Sequence, residues 1–411
     1  MTFNFNSKNK NQYFQALVIN LVLLGLGLGI QYFFGSMQKA WFSFPGNFYY
    51  ALTFLVVFTS IFFLFKHKNW INLLNSSPFA IISVVFLGLL TIILGSVNLN
   101  HDNDGTTAHQ LGHQFGLENI TTTWYFGLIF IAVLVNLWLA ILKRSLVFQW
   151  KNITFILNHF GLFLILFAGV LGQGDLVRVT MDLYEDKPEW RAKDNNGKIY
   201  SLPLALELKK FHIESYPNKL FIIDREGNSL PNGKPISFLL EKEGSKQKMM
   251  DWEITLKKFV EDAIFVGNKE FGESKMWGAT PAALVQIKNL KTGKIKEEWV
   301  SAGNFQFPPM TTPLGYQKIL VMAPAEAKKY ESTVSVFEKD EKKVREEKIQ
   351  VNHPIKVDGW KIYQISYNDK MGKWSNLSIV ELVQDPWLPL VYTGIFILMF
   401  GTLAFMIQNK K

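Results

Sequence analysis

The sequence contains no cysteine. Disulfide bonds and thiol–disulfide exchange both need that sulfur, so the chain can neither staple an exposed domain nor carry electrons through thiols. Acidic residues are also in the minority, with 34 Asp and Glu against 43 Lys and Arg and a net charge of +9. Charge is missing altogether from six long apolar runs, near residues 16–34, 48–65, 78–97, 124–142, 153–172 and 387–408. A helix rises about 1.5 Å per residue and the hydrocarbon core of a bilayer is about 30 Å thick, so these runs predict six transmembrane helices. The first run is followed by no A-x-A-like cleavage site and a second run comes soon after it, which reads as a retained anchor rather than a signal peptide.

The surplus of positive charge is confined to a few short segments. Lys8 and Lys10 precede the first run, Lys66 and Lys68 follow the second, Lys143, Arg144 and Lys151 join the fourth to the fifth, and Lys410 and Lys411 close the chain. None faces an acidic residue in its own segment, and together they equal the whole net charge. Short loops rich in Lys and Arg stay on the cytoplasmic side, so both termini are expected inside and residues 35–47, 98–123 and 173–386 outside. Once these nine are assigned to topology, no basic patch remains for a nucleic acid. Trp41, Trp124, Tyr125 and Trp387 fall at expected outer ends, and Trp70 and Trp150 at inner ones, where amphipathic rings favour the headgroup zone. Ser76 before Pro78, and Asp385 before the last run, are positioned as helix caps. Small residues at close-packing spacing, Gly25 with Gly29 and Ala168 with Gly172, suit helix–helix contact.

Residues 173–386 change character. They are charged, alternate in strand fashion and are punctuated by turn sequences such as EGN, PNGKP, KTGK and VDGW. Many short strands without comparable helices suggest an antiparallel sandwich or open barrel, with AEAKKYE as a possible helical turn or two. The expected fold class is therefore a membrane protein. An α-helical bundle of six transmembrane helices carries a large β-rich extracytoplasmic domain inserted between helices 5 and 6. The expected divisions are 1–77 for a helical hairpin, 78–172 for helices 3 to 5, 173–386 for the β-rich domain and 387–411 for the last helix.

Seven histidines are candidates for chemistry. His67 lies between two lysines of an inner segment and His212 alternates with the core positions of a strand; both read as structural or solvated. His159 is different, because a start at Ile153 puts it roughly 9 Å into the hydrocarbon on the cytoplasmic side. Ionisable groups at such depth are costly and usually face the bundle interior. Its imidazole suits a hydrogen bond to Asn136 or Asn20, a ligand role toward haem iron, or proton transfer. In the outer loop His109 and His113 are four apart, which on a helix shares one face and would serve a metal or haem; glycines interrupt that helix, so a solvated loop is the alternative. No nucleophile with its base, no paired carboxylates and no phosphate loop emerge, and GLGLG at 25–29 lacks the context for one. The chain is expected not to be an enzyme by itself.

Two stretches resemble a known family. In VNHPIKVDGWKIYQISYND and the following WSNLSIVELVQDPWLPL, residues Asn352, Pro354, Gly359, Tyr363, Gln364, Ser366, Tyr367, Asp385 and Pro386 fit the C-terminal pattern of ResB (CcsB) proteins, with Trp387 where glycine is usual. In FILNHFGLFLILFAGVLGQGD, residues His159, Gly161 and Leu162 match that family's H-x-G-L pattern. The resemblance spans roughly residues 78–408; family members usually have four spans, so the hairpin 1–77 is an addition. It implies System II cytochrome c maturation at a bacterial cytoplasmic membrane. A CcsA/ResC-type partner would move haem b outward for attachment to apocytochrome c, with a thioredoxin-like protein as thiol reductant. It also implies that His159 is an intramembrane haem ligand. Lys143, Arg144 and Lys151 would attract the propionates, although topology already accounts for them. A membrane-anchored receptor or transport accessory with a ligand-binding β domain is the reading from another class.

Overall fold

The computed structural model describes residues 7–96, 112, 114–147, 149–267, 270–315, 317–338 and 344–408. The chain divides into two compact units, Met1–Val177 with Gln384–Lys411, and Arg178–Val383.

The first unit is helical: α1 (Ser7–Phe34), α2 (Gly46–Phe65), a short α3 (Asn69–Leu74), α4 (Ser77–Ser96), α5 (Trp124–Ser145), α6 (Trp150–Leu171) and α7 (Leu388–Gln408). Among the described residues five helices are long and apolar enough to cross a membrane, within Lys10–Phe34, Gly46–Phe65, Trp124–Ser145, Asn152–Gly174 and Leu388–Gln408. The expected third span falls on α4, where Ser77–Ile93 is a shorter apolar helix. Helix starts follow local chemistry. Ser76 Oγ accepts from Phe79 N–H at 3.3 Å, Thr123 Oγ1 from Phe126 N–H at 3.4 Å, and Asp385 Oδ1 from the N–H groups of Trp387 and Leu388 at 3.1 and 3.0 Å. Each satisfies amides that no preceding turn can reach.

Helix α5 is the hub, with 61% of its apolar window buried against 6–28% for the other four spans. One side of it packs an aromatic cluster in which Phe54 of α2 lies 6.1 Å from Phe163 and 5.3 Å from Phe167 of α6, while Trp138 sits 5.1 Å from Phe163. The expected glycine contacts are partly rearranged. Gly25 and Gly29 face open space, and the glycine between them, Gly27, presses on Tyr125 so closely that an added Cβ would lie 2.3 Å from its Cα. An i, i+4 spacing names a face only when the helix's rotation is known, and α1 is rotated to put Gly27 inward. Gly172 does meet a neighbour, the Trp387 side chain at 2.6 Å. The closest seam is α6 on α7. A Cβ on Gly161 would lie 2.6 Å from Leu398 N and 2.7 Å from Gly394 O, and one on Gly401 would lie 2.8 Å from Asn158 Oδ1. Two polar bonds flank it, Thr402 Oγ1 to Asn158 Oδ1 at 2.9 Å and Thr154 Oγ1 to Gln408 Oε1 at 3.0 Å. Glycines let backbones approach to where such bonds form in an apolar surround.

The second unit is the β-rich region, built from three antiparallel sheets. Strands β1 (Val177–Tyr184), β2 (Pro188–Lys193), β3 (Ile199–Ser215), β13 (Ala327–Glu338), β14 (Arg345–Gln350), β15 (Ile355–Val357), β16 (Trp360–Tyr367) and β17 (Leu377–Gln384) form one eight-stranded sheet in the order 14-13-3-2-1-17-16-15. A second sheet has the order 10-9-7-6 and comprises β6 (Lys246–Met249), β7 (Trp252–Gly267), β9 (Thr280–Asn289) and β10 (Ile295–Ser301), with β8 (Glu270–Glu273) paired to β7. The third has the order 11-12-4-5 and comprises β4 (Lys219–Ile223), β5 (Ser237–Leu239), β11 (Thr312–Gly315) and β12 (Lys318–Met322).

The two smaller sheets face each other across one apolar core that includes Leu220, Ile222, Trp252, Ile254, Val285 and Leu320. The large sheet curls on itself: Ser332 Oγ of β13 lies 2.6 Å from Gln364 Oε1 of β16 and 2.7 Å from Ser378 Oγ of β17, although four strands separate β13 from β16 in the hydrogen-bonded order. The expected antiparallel pairing of strands is observed in all three sheets. AEAKKYE is not helical; from Ala327 it runs in β13, paired to β3 with Tyr330 opposite Ile213 and Glu331 opposite His212. A long partner strand offering a full ladder outweighs the local helix preference of Ala, Glu and Lys.

Candidate functional site

Helix α6 begins at Trp150, after a turn from α5 that Asn152 ties together. Its Oδ1 accepts from Arg144 Nη1 at 3.2 Å and its Nδ2 donates to Val147 O at 2.7 Å, and the side chain is buried. One turn further on Phe155 projects, and one turn beyond that His159, as i, i+4 neighbours must. The imidazole stacks on the Phe155 ring with centroids 3.6 Å apart and planes 18° apart, and its Nδ1 lies 2.9 Å from Phe155 O. A carbonyl only accepts, so this contact is a hydrogen bond when Nδ1 carries the proton, which leaves the Nε2 lone pair free. The guanidinium of Arg144 lies 5.0 Å from the centroid of the same Phe155 ring. The α6–α7 seam through Asn158 and Gly161 fixes the rotation of α6, and His159 falls on a different face from that seam.

The partners expected for His159 are engaged elsewhere. Asn136 Nδ2 donates to Leu74 O at 2.6 Å and to Ser76 O at 3.3 Å, and Asn20 Nδ2 donates to Ala16 O at 2.9 Å. The imidazole bonds instead to the carbonyl one turn back on its own helix, an acceptor within reach of any helical side chain with a donor two bonds from Cβ. His109 and His113 lie outside the described residues. His67 and His212 are exposed. Among the described residues no group of three or more His, Asp and Glu converges as a metal site. Lys143 Nζ donates to Asn75 Oδ1 at 3.1 Å.

A second polar centre, at the expected outer end of α6, had no counterpart in the sequence reading. Asp175 accepts from Phe44 N–H at 2.7 Å through Oδ1, and from Asn47 Nδ2 at 2.7 Å and Trp387 Nε1 at 2.8 Å through Oδ2. Ser43 Oγ donates to Gly174 O at 3.0 Å, Lys39 Nζ to Leu176 O at 2.8 Å and Asn47 Nδ2 to Leu171 O at 3.1 Å. One carboxylate therefore joins the loop before α2, the end of α6 and the start of α7. Burial works against its ionisation, but the bonds from Phe44, Asn47 and Trp387 win and hold its pKa below the ordinary value. The available signal was a lone acid immediately after an apolar run. Trp387, the departure from the family pattern, is what supplies the indole bond.

Two of the β-region residues that carry the resemblance are held by packing. Gln364 is buried in the Ser332–Gln364–Ser378 cluster, and Tyr367 packs 5.3 Å from Phe211 and 5.1 Å from Tyr330. An open recess beside β2, β3 and β13 is lined by Trp190, Pro203, Phe337 and Glu338 without converging donors.

Residues 315–381 match the model of the ResB-like family. The match runs from β12 into β17 and contains the Gly359, Tyr363, Gln364, Ser366 and Tyr367 pattern, so the resemblance to a ResB-type cytochrome c biogenesis protein rests on more than single residues. No curated protein matches the chain. Among solved structures, that of the cytochrome c heme lyase CcmF aligns over 87% of this chain at 12% identity with a TM-score of 0.22. The chain spans 45% of that protein's length.

Proposed function

We propose that this chain is a haem-handling subunit of System II cytochrome c maturation. It would help a CcsA/ResC-type partner move haem b across a bacterial cytoplasmic membrane and deliver it for covalent attachment to apocytochrome c. In this reading six helices cross the membrane, both termini are cytoplasmic and residues 173–386 lie on the periplasmic side. The chain catalyses nothing by itself, and with no cysteine it leaves thiol reduction to a thioredoxin-like partner.

The observation that carries the proposal is the state of His159. Its Nδ1 lies 2.9 Å from a backbone carbonyl, and in the tautomer protonated at Nδ1 that bond orients the ring and leaves Nε2 as the available donor atom. Metal-ligating histidines are usually held by such a bond through the other ring nitrogen. A neutral imidazole within an apolar helix suits haem iron, whose flat apolar ring sits comfortably among hydrocarbon while its charged propionates stay near the headgroups. Haem is the cargo here, and its second axial ligand would come from the partner.

The test is haem content. The full-length protein copurified with its CcsA-like partner is expected to carry protoporphyrin absorption bands, and His159→Ala is expected to lose them. Unchanged bands in that variant would remove the ligand assignment.

A further inference from the structure

The helical unit holds its acidic residues, Asp102, Asp104, Glu118, Asp175 and Asp385, in only two places: the segment between α4 and α5, and the junction where α6 ends and α7 begins. The opposite ends of the helices, where Lys66, Lys68, Lys143, Arg144 and Lys151 lie, contain none. Among the described residues Lys66, Lys68, Lys143 and Arg144 form no ion pair with a carboxylate of the unit, and an anion that meets them comes from elsewhere. Arg144 stands apart among them because it lies over the ring on which His159 stacks. Its guanidinium lies 5.0 Å from the Phe155 centroid and its Nη1 donates to the neutral Asn152 Oδ1 at 3.2 Å, while Lys143 is turned to Asn75. The far side of that chain of contacts is His159, 3.6 Å from Phe155. A cation and a free imidazole nitrogen thus share one aromatic ring. The same turn exposes apolar surface, with Leu146 at 52%, Val147 at 51% and Trp150 at 78%.

We infer that Arg144 holds a carboxylate of an amphipathic porphyrin dicarboxylate whose iron is taken by His159, with Phe155 as the spacer that sets the distance between the two. The inference rests on the haem reading of His159 and adds to it the group that reads the propionate. The ring system of such a guest is apolar and its carboxylates are not, which matches an apolar turn with one cation over its aromatic ring. Arginine is suited to the task because its planar fork meets a carboxylate with two parallel bonds, whereas lysine offers a point charge.

The experiment titrates the full-length protein in nanodiscs with hemin and, separately, with hemin dimethyl ester, whose capped propionates carry no charge. Wild type is expected to bind hemin at least about tenfold more tightly than the ester, the ratio that corresponds to about 1.4 kcal/mol. Arg144→Gln is expected to lose that preference by weakening hemin alone, leaving ester affinity and the position of the Soret band as in wild type. Arg144→Lys should recover only part of it. Equal binding of hemin and ester by wild type, or an Arg144→Gln chain that still prefers hemin as wild type does, overturns the inference. Loss of hemin and ester in parallel overturns it too. Failure of the iron reading looks different: His159→Ala would then leave the Soret position unchanged for both compounds, whatever Arg144 does.

Discussion

Replacing Gly161 by alanine isolates the contact that positions α6. The added Cβ would lie 2.6 Å from Leu398 N, 2.7 Å from Gly394 O and 2.9 Å from Leu398 Cα, all backbone atoms of α7. Ordinary contact begins at 3.4 Å, so α7 must retreat by up to about 0.8 Å. A side chain could rotate away, but a helical backbone cannot. A gap of 0.5–1 Å removes roughly a quarter to a half of the dispersion attraction of each atom pair along the seam, and overpacked sites typically lose about 1–3 kcal/mol. The Asn158–Thr402 and Thr154–Gln408 bonds stretch with it. Gly25→Ala and Gly29→Ala are the controls, since nothing lies within 4 Å of either. There the methyl group only improves helix propensity, so a neutral change or a gain of about 0.5–1 kcal/mol is expected. Reversible unfolding in mixed micelles would measure all three. A Gly161→Ala protein as stable as wild type, or Gly25→Ala as damaging as Gly161→Ala, would refute the assignment of the seam.

Two further tests address stability, beside the haem-content and hemin-ester experiments above. Asp175→Asn is expected to cost about 1–3 kcal/mol at neutral pH, the worth of bonds to a charged acceptor. Because the folded pKa of Asp175 lies below its ordinary 3.8, the stabilisation is fully present above about pH 4 and is lost as pH falls through the folded value. The variant should lack that acid-dependent component, and an identical acid-unfolding profile would exclude it. In the curled sheet, Gln364→Leu removes the acceptor shared by Ser332 and Ser378 at 2.6 and 3.0 Å and strands a buried hydroxyl, for an expected loss of about 1–3 kcal/mol. Adding Ser332→Ala and Ser378→Ala should return much of it, and calorimetry that finds the triple variant worse than the single one would contradict the account.

Much of the architecture was legible because membranes and sheets impose one-dimensional rules. A span needs an unbroken apolar run, and a strand with one buried face needs alternation, as in SIVELV of β17, where Ser378, Val380 and Leu382 point inward. Strands that depend on a neighbour carry no such signal: β8 (Glu270–Glu273) and β15 (Ile355–Val357) are too short to show a period and form by pairing with β7 and β16. The histidine in the apolar run stood out as costly, but its partner did not, since Asn136 and Asn20 were equally plausible by composition. Asp175 was visible only as a lone acid, because its three donors come from residues 128 to 212 positions away.

The sequence by itself determined which segments are apolar enough to enter a bilayer, which segments carry the positive charge and which stretch alternates as sheet, because these depend on composition and order alone. Only the tertiary structure decided which glycine of GLGLG meets a neighbour, that α6 and α7 touch through Gly161, Gly394 and Gly401, and that His159 bonds to Phe155 beside Arg144. Those outcomes depend on the rotation of each helix about its axis. That angle is set by the packing of all its neighbours together, and no periodicity within a single run contains it.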